Sequence, residues 1–190
     1  MKVLCLLPIG NCNGQLLPDL GAALAGLFRV PFMVLPRALD PDFAFHPERQ
    51  QYHSSEVLGA MQPLLQQDCW RMLGVAAVDL YIPILTFVFG EAQIGGPCAL
   101  VSSYRLRQEF YGLVPDSGML RSRLFKESVH EIGHTLGLTH CHDYRCAMAA
   151  SHAVEWIDIK EGWLCDQCQA RVMGSGEAPS PIKFWSSAGK

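Results

Sequence analysis

The chain has 190 residues, a formal charge of −3, 49% hydrophobic and 17% charged residues, and eight cysteines. That length suits one compact domain with a sizeable core, and the hydrophobic share argues against disorder. The mild acidity without a basic run argues against nucleic acid or anionic membranes as partners, and no apolar stretch reaches the roughly 18 residues that would span a bilayer.

Val3–Ile9 is a continuous apolar run closed by Pro8 and Gly10, the pattern of a strand covered on both faces. The opening Met1–Gly10 lacks the longer apolar stretch and small-residue cleavage site of a secretory signal, so a buried first strand is expected. Leu16–Phe28 carries helical spacing in Leu20, Leu24 and Leu27, with Pro18-Asp19 in its opening turn. Phe32–Leu35 predicts a second strand, and the turn-rich Pro36–His53 a long surface loop. From Ser54-Ser55-Glu56 a helix is expected to run to about Leu73, with Val57, Met61, Leu64, Leu65 and Met72 facing inward. Ala76–Ile82 and Thr86–Gly90 predict the third and fourth strands, and Gly95–Ser103 a short one entered from a tight turn. Asp116-Ser117 would cap a long helix with Leu120, Leu124, Ile132 and Leu136 on its inner face. Gln169–Met173 is helix-prone, and the Gly- and Pro-rich stretch after it reads as a flexible tail in which Phe184-Trp185 could dock. Strands alternating with helices give an α/β chain with a twisted, mostly parallel sheet covered by helices.

Within the long helix, His130-Glu-Ile-Gly-His-Thr-Leu-Gly-Leu-Thr-His140 concentrates the chemistry. His130 and His134 are one helical turn apart on one face, where two neutral imidazoles can hold Zn²⁺ at about 2.0–2.1 Å each. Glu131 lies beside them, placed to address water without ligating the metal. Gly137 can adopt the left-handed conformation that ends a helix, and the reversal returns His140 as third ligand. Three protein ligands with a fourth position open describe catalytic rather than structural zinc. A bare H-E-x-x-H occurs often by chance; glycine and a third histidine in register make this longer form specific for metzincin-type peptidases.

Cys141 follows the last histidine, then come Cys146, Met148 and Cys165-Asp-Gln-Cys168. Two cysteine pairs, the second spaced C-x-x-C, read as a tetrahedral thiolate zinc site. The other four, Cys5, Cys12, Cys69 and Cys98, are scattered, with Cys5 and Cys98 in apolar runs that suit the core. Thiolate zinc in a reducing compartment therefore fits better than a disulfide framework, and a cytoplasmic location is expected.

Residues 130–168 resemble the archaemetzincin family, whose signature joins the long zinc motif to four cysteines and an intervening methionine. The resemblance implies a metzincin-like mixed sheet with helices, a motif helix, a methionine turn at Met148 and a small C-terminal lobe. In domain terms it suggests one peptidase domain over 1–190, with about 1–138 as N-terminal lobe, about 139–173 as zinc-stapled C-terminal lobe and 174–190 as tail. It implies two zinc ions: a catalytic one on His130, His134 and His140 with Glu131 as general base, and a structural one on Cys141, Cys146, Cys165 and Cys168. The Met148–Cys165 spacing is a residue shorter than the family's, which a loop would absorb. Gly95–Ser103 becomes the expected antiparallel edge strand bordering the substrate cleft, where an extended peptide can add as a further strand. His142, Asp143 and His152 are weaker candidates for supporting the site, Tyr104 and Tyr111 for stabilising an oxyanion, and His46 and His53 receive no role. The expected reaction is hydrolysis of peptides or unfolded protein. The alternatives are a partner-binding scaffold that keeps the fold without cleavage, against which an intact Glu131 argues, and a zinc hydrolase of another acyl substrate.

Overall fold

The computed structural model describes residues 2–12 and 14–174. Strand β1 (Val3–Ile9) leads to helix α1 (Leu16–Phe28) and strand β2 (Phe32–Val34). Two short strands, β3 (Phe45–His46) and β4 (Gln51–His53), precede helix α2 (Ser54–Met61). Strands β5 (Cys69–Ala76), β6 (Leu80–Tyr81), β7 (Gly90–Ala92) and β8 (Cys98–Ser102) follow, then helices α3 (Ser117–Thr135), α4 (Val154–Ile159) and α5 (Asp166–Gly174). The main sheet has the order β2-β1-β5-β8-β7; β7 alone runs antiparallel, and it lies at the edge. A small second sheet has the order β3-β4-β6.

The continuous apolar run of β1 is explained by its central place, because alternate residues of a strand serve opposite faces. Leu4 and Leu6 enter the core shared with α1 and α3, whereas Cys5, Leu7 and Ile9 enter the one against α2. The first of these cores continues without a break through Met148, Ile157 and Leu164 to Val172. Helix α1 buries Leu17, Leu20, Leu24 and Phe28, one stripe at helical spacing. Among the described residues no helix is long and apolar enough to cross a membrane.

Four expectations change. The helix begun at Ser54 ends at Met61, and a 3₁₀ turn holding Pro63 follows. Proline lacks the N–H that would extend the helix. Trp70, Met72 and Leu73 belong instead to β5, buried on both faces, so its apolar run lacks the alternation that marks a strand. The third strand shrinks to β6, and of the fourth only a bridge from Val88 to Leu80 and Gly90, the first residue of β7, remain in β structure. The stretch 36–53 is not purely a loop, since β3 and β4 form within it. Finally, the antiparallel edge is β7, not the strand within Gly95–Ser103. Strand β8 pairs with neighbours on both sides and all five of its residues are buried, as its Cys-Ala-Leu-Val-Ser composition requires.

A further difference concerns the scattered cysteines. Cys5 and Cys69, on adjacent strands β1 and β5, are paired as a disulfide, whereas the sequence pattern favoured reduced thiols throughout. Their separation of 64 residues carries no local signal; only the parallel pairing brings them together. The tail from residue 175, with the docking expected for Phe184-Trp185, lies outside the described residues.

Candidate metal and active site

Helix α3 carries the motif. Asp116 caps it as expected, its Oδ1 accepting from Met119 N at 2.8 Å. One stripe is buried at the start of α3, but from Glu127 to Gly133 every residue is buried, because the C-terminal segment covers the face opposite the sheet. The helix ends in a Schellman turn: Gly137 at φ 84°, Gly137 N donating to His134 O at 2.9 Å and Leu138 N to Gly133 O at 3.1 Å. The turn sends the chain back toward its own helix, and His140 comes to lie with its ring centroid 5.3 Å from that of His130 and 5.1 Å from that of His134.

Backbone carbonyls orient two of the rings. His130 Nδ1 lies 2.8 Å from Ala147 O and His134 Nδ1 2.8 Å from Leu138 O, contacts that assign the proton to Nδ1 and leave Nε2 with its lone pair. The two Nε2 atoms then face each other at 3.1 Å. Nitrogens bound to one tetrahedral zinc would stand about 3.3 Å apart, so the arrangement fits that ion. One ligand-capable nitrogen from each of His130, His134 and His140 lies within 4.8 Å of the others. Burial lowers the pKa of all three, His130 most strongly, with Lys160 adding to the effect. Neutral imidazoles are the form that binds a metal.

Met148 is fully buried against Gly133, where any Cβ would overlap its sulfur. The missing side chain at Gly133 is what lets the methionine sulfur lie this close beneath the helix. Glu131 is 5% exposed and lines a cleft of about 570 Å³ together with the three histidines, the segment Thr86–Ala92 and Ala150–His152. Burial raises its pKa well above the carboxylate range, the nearby Glu127 adds to this, and Lys160 opposes it. A divalent cation among the imidazoles would draw the group back toward its anion.

The four cysteines form a second cluster. Cys141, Cys146, Cys165 and Cys168 bring their sulfurs within 4.8 Å of one another, and Cys141 Sγ stands 3.7 Å from Cys165 Sγ. Sulfurs on one tetrahedral zinc would be about 3.8 Å apart. Two backbone N–H groups, of Met148 and Cys165, point at Cys146 Sγ at 3.4 and 3.3 Å, as they do toward a thiolate. Burial pushes the Cys146 thiol up to about 11 and raises Cys168 as well, whereas in Cys165 burial is outweighed by hydrogen bonds from the neighbouring cysteines and the pKa falls; a cation is what would ionise the buried pair Cys146 and Cys168 near neutral pH.

The weaker candidates separate. His152 lines the cleft, whereas His142 and Asp143 border the cysteine cluster. Tyr111 Oη donates to Arg105 O and Tyr104 packs on Phe110; neither lines the cleft. His46 and His53 pack against Tyr81. Three residues were missed. Lys160, fully buried, lies 2.6 Å from Glu127 Oε1 and donates to Ala149 O, and Gly90 of β7 abuts Glu131. Glu127 stands one turn before Glu131 and could have been found from helical spacing; Lys160 and Gly90 had no such signal.

A motif helix ending in a glycine turn, three converging imidazoles, a buried carboxylate and a methionine beneath them define a metzincin-type zinc peptidase site. The profile of peptidase family M54 matches residues 23–173. Archaemetzincin of Methanocaldococcus jannaschii is 38% identical over 173 residues, covering 91% of this chain and 94% of the relative. That of Pyrococcus abyssi is 34% identical over 179 residues, covering 90% and 95%. Among solved structures, archaemetzincin from Archaeoglobus fulgidus superposes with a TM-score of 0.77 at 35% identity, over 90% of this chain and 99% of that one. A zinc-dependent peptidase from Methanocorpusculum labreanum does so with a TM-score of 0.81 at 28% identity, over 89% and 99%. The chain belongs to peptidase family M54, the archaemetzincins, and is a zinc metallopeptidase.

Proposed function

We propose that the chain hydrolyses peptides or unfolded protein with Glu131 as general base, holding one zinc on His130, His134 and His140 and a second on Cys141, Cys146, Cys165 and Cys168. The observation that carries this reading is the convergence of two carbonyl-oriented imidazoles and His140 beside a buried carboxylate in an open cleft. Zinc, when bound, supplies Lewis acidity that polarises the scissile carbonyl and makes water a better acid. Glu131 takes a proton from the attacking water and delivers it to the leaving amine. Its near-complete enclosure limits competing solvent at the carboxylate. Strand β7 borders the same cleft, and its outer edge, unpaired among the described residues, can receive an extended peptide as a further strand. The cysteine cluster is assigned a structural role because four sulfurs close the coordination sphere.

The proposal includes a single domain of two lobes, divided near residue 138 where the glycine turn reverses the chain. It also places the protein in the cytoplasm, supported by the cysteine cluster's need for reduced thiols and opposed by the Cys5–Cys69 pairing.

Metal analysis should find two zinc ions per chain. Turnover of a quenched fluorescent peptide library should vanish on chelation and fall about 10²–10⁴-fold in Glu131→Gln, with zinc retained. Parental turnover by that variant would refute the base assignment.

A further inference from the structure

Gly90 sits in the middle of the cleft wall, and its conformation does not explain why it is glycine. Its φ is not among the positive values found at Gly10, Gly95, Gly112 and Gly137, and it is paired opposite Val101 within the sheet. Space explains it instead. A Cβ at this position would lie 2.6 Å from Glu131 Oε1, 2.8 Å from Glu131 Cδ and 2.5 Å from Leu100 O. The bare Cα of the edge strand is therefore a wall against which the carboxylate rests.

Two further observations make this wall the element that locates Glu131. No hydrogen bond reaches the Glu131 carboxylate from the described residues, so on the β7 side its packing against Gly90 is what bounds its position. The strand is also held firmly. Ser102 N donates to Phe89 O at 2.8 Å, and the next side chain, Glu91, accepts hydrogen bonds from both Ser54 Oγ and Ser55 Oγ at the start of α2. An added methyl group therefore meets two obstacles, the backbone carbonyl of Leu100 and the Glu131 carboxylate; with β7 anchored on both sides of residue 90 the backbone yields little, and the side-chain carboxylate is displaced.

We propose that Gly90 is a positioning residue of the peptidase, its missing side chain fixing where the Glu131 carboxylate stands. The inference rests on Glu131 being the general base. It differs from that reading in assigning the orientation of the base to the edge strand rather than to the motif helix alone.

A double-mutant cycle tests it. Gly90→Ala should lower kcat on the peptide library by about 10–100-fold with KM little changed, since displacements near 1 Å have effects of that size. Zinc content should match the parent. Glu131→Asp shortens the carboxylate arm by one methylene and removes the overlap with the carboxylate, while the contact with Leu100 O stays the same in both backgrounds. In that background Gly90→Ala should cost at least about fivefold less in kcat than in the parent, a coupling between contacting residues that a clash with Leu100 O alone would not produce. The same cycle read as calorimetric affinity for a peptidyl hydroxamate, a zinc-chelating group that can hydrogen-bond the same carboxylate, should give the same pattern and decides the matter where turnover is slow. Equal losses in the two backgrounds, or full activity in Gly90→Ala, would overturn the proposal. A rise in KM without coupling would assign Gly90 to strand geometry instead and equally overturn it. Failure of the base assignment is read separately, from Glu131→Gln.

Discussion

Lys160 Nζ stands 2.6 Å from Glu127 Oε1 in the protein interior, with 0% and 3% of the two side chains exposed. The contact is Coulombic more than directional, because Oε1 accepts no well-aligned hydrogen bond, and Lys160 also donates to Ala149 O at 3.3 Å. One ammonium thereby joins the motif helix to the turn whose Ala147 carbonyl orients His130. Nearby, Arg123 makes paired hydrogen bonds of 2.8 and 2.7 Å to Asp158, and Lys126 donates to the carbonyls of Ile157 and Asp158. Positions 123, 126, 127 and 130 thus bind the C-terminal segment along one helical face.

Removing one member of a buried pair leaves an uncompensated charge. Lys160→Met is therefore expected to destabilise the protein by about 3–5 kcal/mol, and Lys160→Met with Glu127→Leu by clearly less. Denaturant unfolding of both variants checks this. A double variant as unstable as the single one would show that packing of the lysine stem, not charge, is what matters.

Gly137→Ala should act on stability and on metal together. At φ 84° an alanine is strained, and a loss of at least about 1 kcal/mol is expected. Relaxing that strain would shift Leu138 O away from His134 Nδ1 and move His140 relative to both other rings. Zinc should then leave the histidines at a lower chelator concentration than in the parent, as read by metal analysis after dialysis. A variant that loses stability but retains zinc as the parent does would separate the turn from the site.

The pKa shift of His130 gives a signed prediction for the metal-free protein. Its folded pKa lies well below the ordinary 6.5, from burial first and Lys160 second. As pH falls through 6.5 the unfolded chain takes up a proton that the folded one refuses, so stability is lost with falling pH at up to about 1.4 kcal/mol per unit. His130→Asn, compared with the parent by unfolding between pH 7.5 and 5.5, should show a shallower decline. An equal slope in both would assign the acid sensitivity elsewhere.

Much of the site was legible because its information is local. His130, Glu131, His134, Gly137 and His140 fall within one helix and its terminating turn, where fixed geometry turns sequence offsets into directions. Strand β1 and helix α1 were legible for the same reason, each being a single run of one period. What stayed hidden depends on contacts distant in sequence. The strand within 69–76 imitates a helix because both its faces are covered, and which strand forms the edge is decided by pairing with β5. Lys160 meets Glu127 across a sequence separation of 33, and Gly90 meets Glu131 only once the sheet is assembled.

The last prediction concerns the order in which the fold depends on metal. Cys141 and Cys146 lie on one side of helix α4, Cys165 and Cys168 on the other. The segment between them includes Met148 beneath the catalytic helix, Ala147 behind His130 and Lys160 against Glu127. A cation drawing the four sulfurs together would close that loop, and binding energy at such a site is folding energy, about 10–16 kcal/mol apparent in thiolate-rich zinc peptides. Cys168→Ser should therefore lower the melting temperature sharply and abolish activity although no histidine is altered. His140→Ala removes a ligand that is itself exposed and should weaken only the catalytic metal, leaving a cooperative transition near the parental temperature. Mild chelation should act in the same order, stripping the open histidine site first and leaving about one zinc per chain. Scanning calorimetry of the two variants, with metal analysis of the parent, decides the point. If His140→Ala melts far below Cys168→Ser, the structural and catalytic assignments of the two clusters are reversed.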